Sequence, residues 1–432
     1  MIFAGRRKSG KWDLEAVEMA TRAALHRAGA AVLEELLTTP DPQPRQVPCG
    51  CGGWAQYHER RPKQLLTVLG RVDTERPYYL CPACHQGQSP RDQELDVAGT
   101  AYSPGVRRMM AVVGSETSFG QGREQLHLLA GLDVTTKAVE RQAEALGADI
   151  AAQEQAALRQ GLQLSLPRLG RPEIPVLYVE MDGTGVPVVK AETVGHAGKQ
   201  GEQAHTREVK LGCVFTQTTV DARGRPQREE GSTTYTGAIE TAEAFGHRIC
   251  GEAYRRGWHQ AQKKVMIGDG APWIWNLTAE HFPGAVQIVD LYHARQHLWE
   301  LAGKVWPSDQ RRRRHWTRRR EKQLESGRTE SLLRALRALS PTTPETAECV
   351  RREIDYFAAN AARMRYPAFR RQHLFVGSGV VEAGCKTLIG SRLKRSGMFW
   401  RVRAANAIIA LRCHRLSGRF EDYWENRRSH AN

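Results

Sequence analysis

The chain reads as a multidomain α/β protein. A sheet-forming core is split by a long helical insertion, and a small cysteine-paired module and a group of helices precede it. Three observations carry this reading. Three apolar runs each end in an aspartate, at Val176–Asp182, Lys263–Asp269 and Ala285–Asp290, with helical text around them, the pattern of strands whose carboxylates gather at one end of a sheet. Four of the nine cysteines fall in two tight pairs. Basic residues crowd the last third: residues 291–375 hold 19 Lys+Arg against 9 Asp+Glu, and residues 376–432 hold 11 against 4. With 432 residues and 41% hydrophobic content, there is apolar mass for more than one core, which excludes fibrous and disordered classes.

Residues 1–48 read as an N-terminal helical region. Met1 to Trp12 is basic but lacks the apolar segment of a signal peptide, and no run approaches the ~20 apolar residues of a membrane span, so a cytoplasmic protein with no membrane partner is expected. Residues 49–98 form the cysteine module. Cys49-Gly-Cys51 and Cys81-Pro-Ala-Cys84 are separated by 29 residues that read as short strands, Leu65 to Leu69, Val72 to Thr74 and Pro77 to Leu80. Each pair then sits on a hairpin turn, the way a zinc ribbon sets four thiolates around one structural Zn2+. Cys-x-Cys is a tighter first knuckle than Cys-x-x-Cys, and His58 or His85 could replace one thiolate. The other five cysteines, Cys213, Cys250, Cys349, Cys385 and Cys413, are scattered and read as core.

Residues 99–170 read as helices. One follows Ser103-Pro104 as far as Val113, a second runs from Gln121 to Ala130, Gly131 breaks the pattern, and Thr135 or Thr136 caps a third. A DNA-binding helix-turn-helix and an ordinary helical hairpin both fit. Three prolines and two glycines in 160–175 suggest a domain boundary. Residues 171–293 hold the three Asp-ended strands, a further strand from Val209 to Phe215, and a long helix from Gly237 to Arg256. Residues 294–375 form a basic helical insertion, with Leu332, Leu333, Leu336 and Leu339 at helical spacing. Within it Arg311, Arg312, Arg313 and Arg314 and then Arg318, Arg319 and Arg320 flank His315 and Trp316, joining charge to stacking capacity in a pattern that suits nucleic acid. Residues 376–432 open on Gly377-Ser-Gly and continue as a helix with one acid, Glu382, and a basic face of Lys386, Arg392, Lys394 and Arg395.

A net charge of +16 calls for a polyanionic partner. Phosphodiester chemistry on such a partner uses two divalent cations about 4 Å apart, one for the attacking and one for the leaving oxygen. Magnesium takes a few hard carboxylate ligands, and Asp182, Asp269 and Glu382 supply them from glycine-flanked positions.

At these residues the chain resembles bacterial insertion-sequence transposases of the DDE type with an RNase H-like core, specifically the ISKra group. The match covers almost the whole chain. It rests on Tyr78-Tyr-Leu-Cys-Pro-Ala-Cys84, Glu180-Met-Asp-Gly-Thr-Gly185, Ile267-Gly-Asp-Gly-Ala-Pro-Trp273, Asp290-Leu-Tyr-His293, and above all Gly377-Ser-Gly-Val-Val-Glu-Ala-Gly-Cys-Lys386 continuing into Arg392-Leu-Lys-Arg-Ser-Gly-Met-Phe-Trp400. The resemblance implies an RNase H-like mixed sheet and makes Asp182, Asp269 and Glu382 a catalytic triad for two Mg2+ or Mn2+ ions. It further implies strand cleavage at element ends, attack of the 3′ hydroxyl on target DNA, and a homo-oligomer on DNA. Lys386, Arg392, Lys394, Arg395 and Trp400 join the insertion arginines as expected DNA contacts. Asp290-x-x-His293 resembles a motif of related groups, including Mutator-like elements. Either His293 contacts the scissile phosphate with Asp290 orienting it, or Asp290 caps a helix and His293 is structural. His297, one turn on, is expected to matter little, since hard-ion chemistry disfavours a second zinc site. The rival readings are a non-catalytic DNA-binding protein and an RNase H-like nuclease without strand transfer.

Overall fold

The computed structural model describes residues 13–38, 43–161, 174–196, 198 and 204–429. Most of the proline- and glycine-rich stretch 160–175 lies outside them. The chain divides into two compact units, residues 1–146 with 421–432, and residues 147–420. The division falls inside a helix after Leu146, rather than at 160–175.

The first unit opens with α1 (Leu14–Thr38), followed by an antiparallel sheet of β1 (Gln46–Pro48), β2 (Trp54–Thr67), β3 (Gly70–Leu80) and β4 (Gly87–Gln88) in sequential order. Two long strands replace the three short ones expected: Pro77 pairs with Arg60 inside β3, so the ladder continues through the proline. The hairpin reverses at Thr67 and Gly70, where Gly70 takes φ +126, a backbone region that suits glycine. Helices α2 (Pro90–Glu94), α3 (Pro104–Glu116) and α4 (Phe119–Gln125) follow, the last running through a π turn to Ala130. Gly131 stops it in the left-handed conformation, and the Thr135 hydroxyl caps α5 (Thr136–Gly161) by accepting from Ala138 N at 3.1 Å. Leu66, Val106, Met110, Leu126, Leu132 and Val139 form the core beneath this helix, glycine turn and capped helix.

In the second unit the strands are β5 (Ile174–Pro187), β6 (Thr206–Val220), β7 (Pro226–Arg228), β8 (Thr234–Ala238), β9 (Ala261–Gly268) and β10 (Val286–Val289). They form one mixed sheet in the order β10-β9-β5-β6-β7, with β8 also paired to β6. β9 and β10 run parallel to β5, and β6 runs antiparallel to it. Residues 177–181 of β5 and 209–217 of β6 are buried without alternation, so both faces of the sheet are covered. The helix expected over Gly237–Arg256 is shorter. Gly237 and Ala238 pair with β6, and Thr241 caps α6 (Ala242–Arg255) through a 3.2 Å bond from Ala244 N.

Helix α7 (Pro272–His281) joins β9 to β10, and the insertion follows as α8 (Leu291–Val305), α9 (Gln310–Glu325), α10 (Thr329–Arg337), α11 (Pro344–Ala359) and α12 (Tyr366–Arg371). α10 buries Leu332, Leu333 and Leu336 as their spacing predicts. The chain returns as α13 (Gly379–Gly384), which passes through a π turn at Cys385–Gly390 into α14 (Ser391–Leu393), and α15 (Val402–Leu416) packs on β8. No helix among the described residues is long and apolar enough to cross a membrane.

One ion cluster of the first unit has a pH signature. Asp96 sits at φ +50, accepts from Arg107 Nη2 at 2.6 Å, and takes a two-pronged contact from Arg427, Nε at 2.8 Å and Nη2 at 3.1 Å. Burial pushes its carboxyl up, but the Arg427 bond and the two guanidinium charges outweigh it and hold the group below its ordinary value. A carboxyl depressed by folding stabilises the fold above its unfolded pKa, and that stability is lost as pH falls through the folded value. Asp96→Asn is expected to lower unfolding free energy by roughly 2 kcal/mol at pH 7. Urea titrations should show the gap closing below about pH 4.

Candidate functional site

The acids are brought together by strand register. Glu180 of β5 pairs with Ile267 of β9, so two residues further along Asp182 lies beside Asp269 on the same face of the sheet. Val289 of β10 pairs with Gly268, and Asp290 N donates to the Gly268 carbonyl at 2.8 Å, which brings Asp290 to the same sheet end. Glu382 arrives on α13. Cys385, three residues on along the same helical run, donates its thiol to Asp182 Oδ2 at 3.3 Å, and residues i and i+3 share a helix face. Burial pushes the Asp182 carboxyl up and the Asp269 charge adds to the rise, against the Cys385 thiol, the Gly183 N–H and His293. A divalent cation would relieve that strain, so the oxygen donors suit a hard ion. The acids do not close to the span of one ion: among the described residues, the set of three or more ligand-type side chains with donor atoms within 4.8 Å of one another is the cysteine set.

Asp290 takes the second of the two roles open to it, that of helix cap. Its side chain is fully buried; Oδ1 accepts from Tyr292 N and His293 N at 2.5 and 2.9 Å, and Oδ2 from the Ser378 N–H and hydroxyl. It caps α8 and ties down the loop before Glu382, and it makes no bond to the His293 imidazole. That imidazole is held by His297, Nε2 to Nε2 at 3.2 Å, and His297 Nδ1 meets Glu353 Oε2 at 2.8 Å. His297, expected to be a bystander, is therefore part of the site's second layer.

Three more residues escaped the sequence reading. Glu180 is fully buried, accepts from Val381 N at 2.8 Å, and is pushed up to about 8 by burial, with the Asp290 and Glu382 charges adding to the rise. It pins α13 to β5, and its place two residues before Asp182, on the same strand face, was the available signal. Ser378 bridges Asp290 and Glu382, donating also to Glu382 Oε1 at 3.4 Å. Tyr356 of α11 donates to the Asp269 carbonyl at 2.8 Å and stacks on His297 at 4.1 Å. Gly270 takes φ +101, and a Cβ there would lie 2.5 Å from the Tyr356 ring, so this turn demands glycine twice over. Tyr356 carried no sequence signal.

The basic residues sort by burial. Arg311, Arg314, His315, Arg318, Arg319 and Lys322 line one open groove of about 610 Å³ along α9, at helical spacing. Arg312 is exposed over the Trp306 ring and Arg313 is half-buried. Arg320 is buried against Trp316, and desolvation lowers its pKa. Trp316 itself is half-buried and meets Trp306 edge-on at 5.4 Å, so part of its ring serves helix packing. In the last segment Lys386 and Lys394 are exposed, the latter on the Thr184 hydroxyl, and Arg395 donates to the Ser391 carbonyl at 2.7 Å. Arg392 is wholly buried beneath Trp400, which is itself buried and donates to the Leu393 carbonyl at 3.0 Å. Arg320, Arg392 and Trp400 are thus packing residues, not DNA contacts, because the apolar surroundings that hold them exclude a phosphate.

In the first unit the hairpin β2–β3 brings the cysteine pairs to one end. Cys49 and Cys51 lie on the turn into β2, and Cys81 and Cys84 on the turn out of β3, with Gln56 paired to Leu80 between them. Cys49 and Cys84 sulfurs are 3.6 Å apart, Cys51 and Cys81 sulfurs 3.7 Å. Four sulfurs at about 2.3 Å from one tetrahedral ion lie about 3.8 Å from one another, so this cluster could hold a metal such as zinc. The Cys84 N–H, then that of Ala83 and the neighbouring thiols, hold the Cys81 thiol down to about 7, against its desolvation. His58 and His85 are outside the cluster.

No protein-family model matches this chain, and no curated protein matches it.

Elemental analysis of the purified protein is expected to find about one zinc per chain, mostly lost in the Cys81→Ser/Cys84→Ser double variant. For the packing arginine, Arg392→Ala should lower unfolding free energy by roughly 2–4 kcal/mol, whereas Lys394→Ala should change it by about 0.5 kcal/mol or less, both read by chemical denaturation.

Proposed function

We propose that the protein is a DNA transposase of an insertion sequence, with Asp182, Asp269 and Glu382 as its acidic triad on an RNase H-like core. The observation that carries this reading is that Asp182, two residues past the last β5–β9 pair and inside β5, lies beside Asp269 just past the end of β9, with the Glu382 helix bonded onto Asp182 through Cys385. The mixed sheet, with its final acid delivered from a helix after a helical insertion, supports it. So does the exposed basic face of α9.

On this reading the triad would hold two Mg2+ or Mn2+ ions, which supply charge to the attacking and leaving oxygens of a phosphodiester. The chain's own residues then have separate duties. Tyr356 and Gly270 keep the Asp269 turn in place, Glu180 and Ser378 seat the helix of Glu382, and Asp290 holds the start of α8. Arg311, Arg314, Arg318 and Arg319 neutralise backbone phosphates and set register without reading sequence. The helix pair around Gly131 and the cysteine module are the modules that would recognise element ends.

Asp182→Asn, Asp269→Asn and Glu382→Gln are each expected to reduce cleavage of element-end DNA by at least about 100-fold while retaining DNA binding, measured on labelled oligonucleotides with magnesium or manganese. Cleavage without strand transfer by the wild type would favour a nuclease, and binding without cleavage a DNA-binding protein. Alanine at Arg311, Arg314, Arg318 and Arg319 should flatten the dependence of log affinity on log salt by roughly 0.9 for each lost phosphate contact. Arg320→Ala should leave that slope unchanged.

A further inference from the structure

The insertion sends a hydrogen-bonded chain into the site. Glu353 of α11 meets His297 Nδ1 at 2.8 Å, and His297 Nε2 meets His293 Nε2 at 3.2 Å, with His297 clamped flat on Tyr356 at 4.1 Å. Hydrogen-bond logic orders the protons. With a carboxylate at Glu353 and an uncharged His297, the His297 Nδ1 carries the hydrogen and His293 donates its Nε2 hydrogen to the His297 Nε2 lone pair; an imidazolium at His297 would reverse that second bond. The proton-free position of neutral His293 is therefore Nδ1, which makes no hydrogen bond among the described residues. His293 stands on the first turn of α8, whose cap Asp290 lies at the strand ends beside Asp269, and a positive charge on its ring would be felt by Asp182.

We propose that Glu353 and His297 are positioning residues that lock His293 into the Nε2–H tautomer, leaving its Nδ1 as the proton acceptor for the attacking oxygen. The second half rests on the transposase reading; the first does not. In the step itself, the O–H bond of the attacking water or 3′ hydroxyl breaks as an N–H bond forms at His293 Nδ1, the oxygen uses the electron pair it keeps to form a P–O bond, and the P–O bond to the leaving 3′ oxygen breaks, that oxygen keeping its pair and taking a proton from solvent water. The resulting imidazolium donates to His297, which donates to Glu353, so the new positive charge faces a carboxylate through one ring. This assignment replaces the expectation that Asp290 orients His293, and it makes neutral His293 an acceptor toward the reaction, where a phosphate contact would need a donor.

The relay is tested on the full chain labelled with 15N-histidine, by long-range 1H–15N correlation of the imidazoles, with His293 assigned through His293→Gln. Wild-type His293 should show the Nε2–H pattern, and Glu353→Gln or His297→Phe should convert it to a mixture while circular dichroism is unchanged; His297→Phe keeps a ring on Tyr356. An Nδ1–H pattern in the wild type, or an identical pattern in Glu353→Gln, would overturn the relay whatever the DNA assays give. In cleavage assays His293→Ala should lose about 100-fold or more in rate with DNA affinity retained. Glu353→Gln and His297→Phe should lose about tenfold, with Glu353→Asp recovering most of the rate. Wild-type rates in His293→Ala would overturn the proton-acceptor role alone. A wild type that cleaves nothing would sink the transposase reading, and the base role with it, while the tautomer result still decides the relay.

Discussion

Like charges have to be held side by side where the parallel pairing of β5, β9 and β10 runs out, and much of the second unit is arranged around that requirement. The two parallel ladders stop at about the same level, so Asp182, Asp269 and Asp290 arrive together whether or not their charges favour it. Each is then treated differently. Asp290 is buried and saturated with four hydrogen bonds, which makes it part of the scaffold. Asp182 is half-buried and raised by its surroundings, and Asp269 holds an Ala271 N–H at 2.8 Å across its turn. Glu180, beneath them, is pushed up to about 8, burial being the main cause and the Asp290 and Glu382 charges adding to it. A cluster so arranged gains from a cation in proportion to the repulsion it holds without one.

The helices between β10 and α13 supply part of the candidate site. α11 supplies Tyr356 under the Asp269–Gly270 turn and Glu353 at the end of the histidine chain. α9, packed on α8, turns a row of arginines outward while Arg320 and Trp316 hold the helix pair from inside. One helix thereby carries both solvent-facing charge and buried charge, and a count of basic residues does not separate the two.

The cysteine module solves a simpler problem. Two turns on one hairpin bring four thiols to a common point through antiparallel pairing, and the backbone N–H groups of the second knuckle favour thiolate at Cys81. Its geometry is local, so it depends on little outside the sheet that bears it.

What could be read from the chain alone follows the same division between local and distant. The strands stopping before Asp269 and Asp290, the paired cysteines, the Gly131 break with a threonine cap after it, and the leucine stripe of α10 were legible, because each is set by neighbours within a few residues, whereas the strand expected to end at Asp182 runs on to Pro187 because β6 goes on pairing with it. Asp182, Asp269 and Glu382 were legible as chemical types in a pattern, but their meeting depends on the β5–β9 register and on the Cys385 bond, which no spacing records. Arg392 and Arg320 look like surface charge in sequence and are buried in the fold, because the lining of a side chain's pocket comes from distant segments such as Trp400's return onto β5. Tyr356, 87 positions from Asp269, meets it only when the inserted helices fold back onto its turn, and Glu353 and His297 come together by the same folding. Local physics determined the elements and the candidate ligands; long-range packing decided which carboxylates share a site, which arginines reach solvent, and which histidines bond to one another.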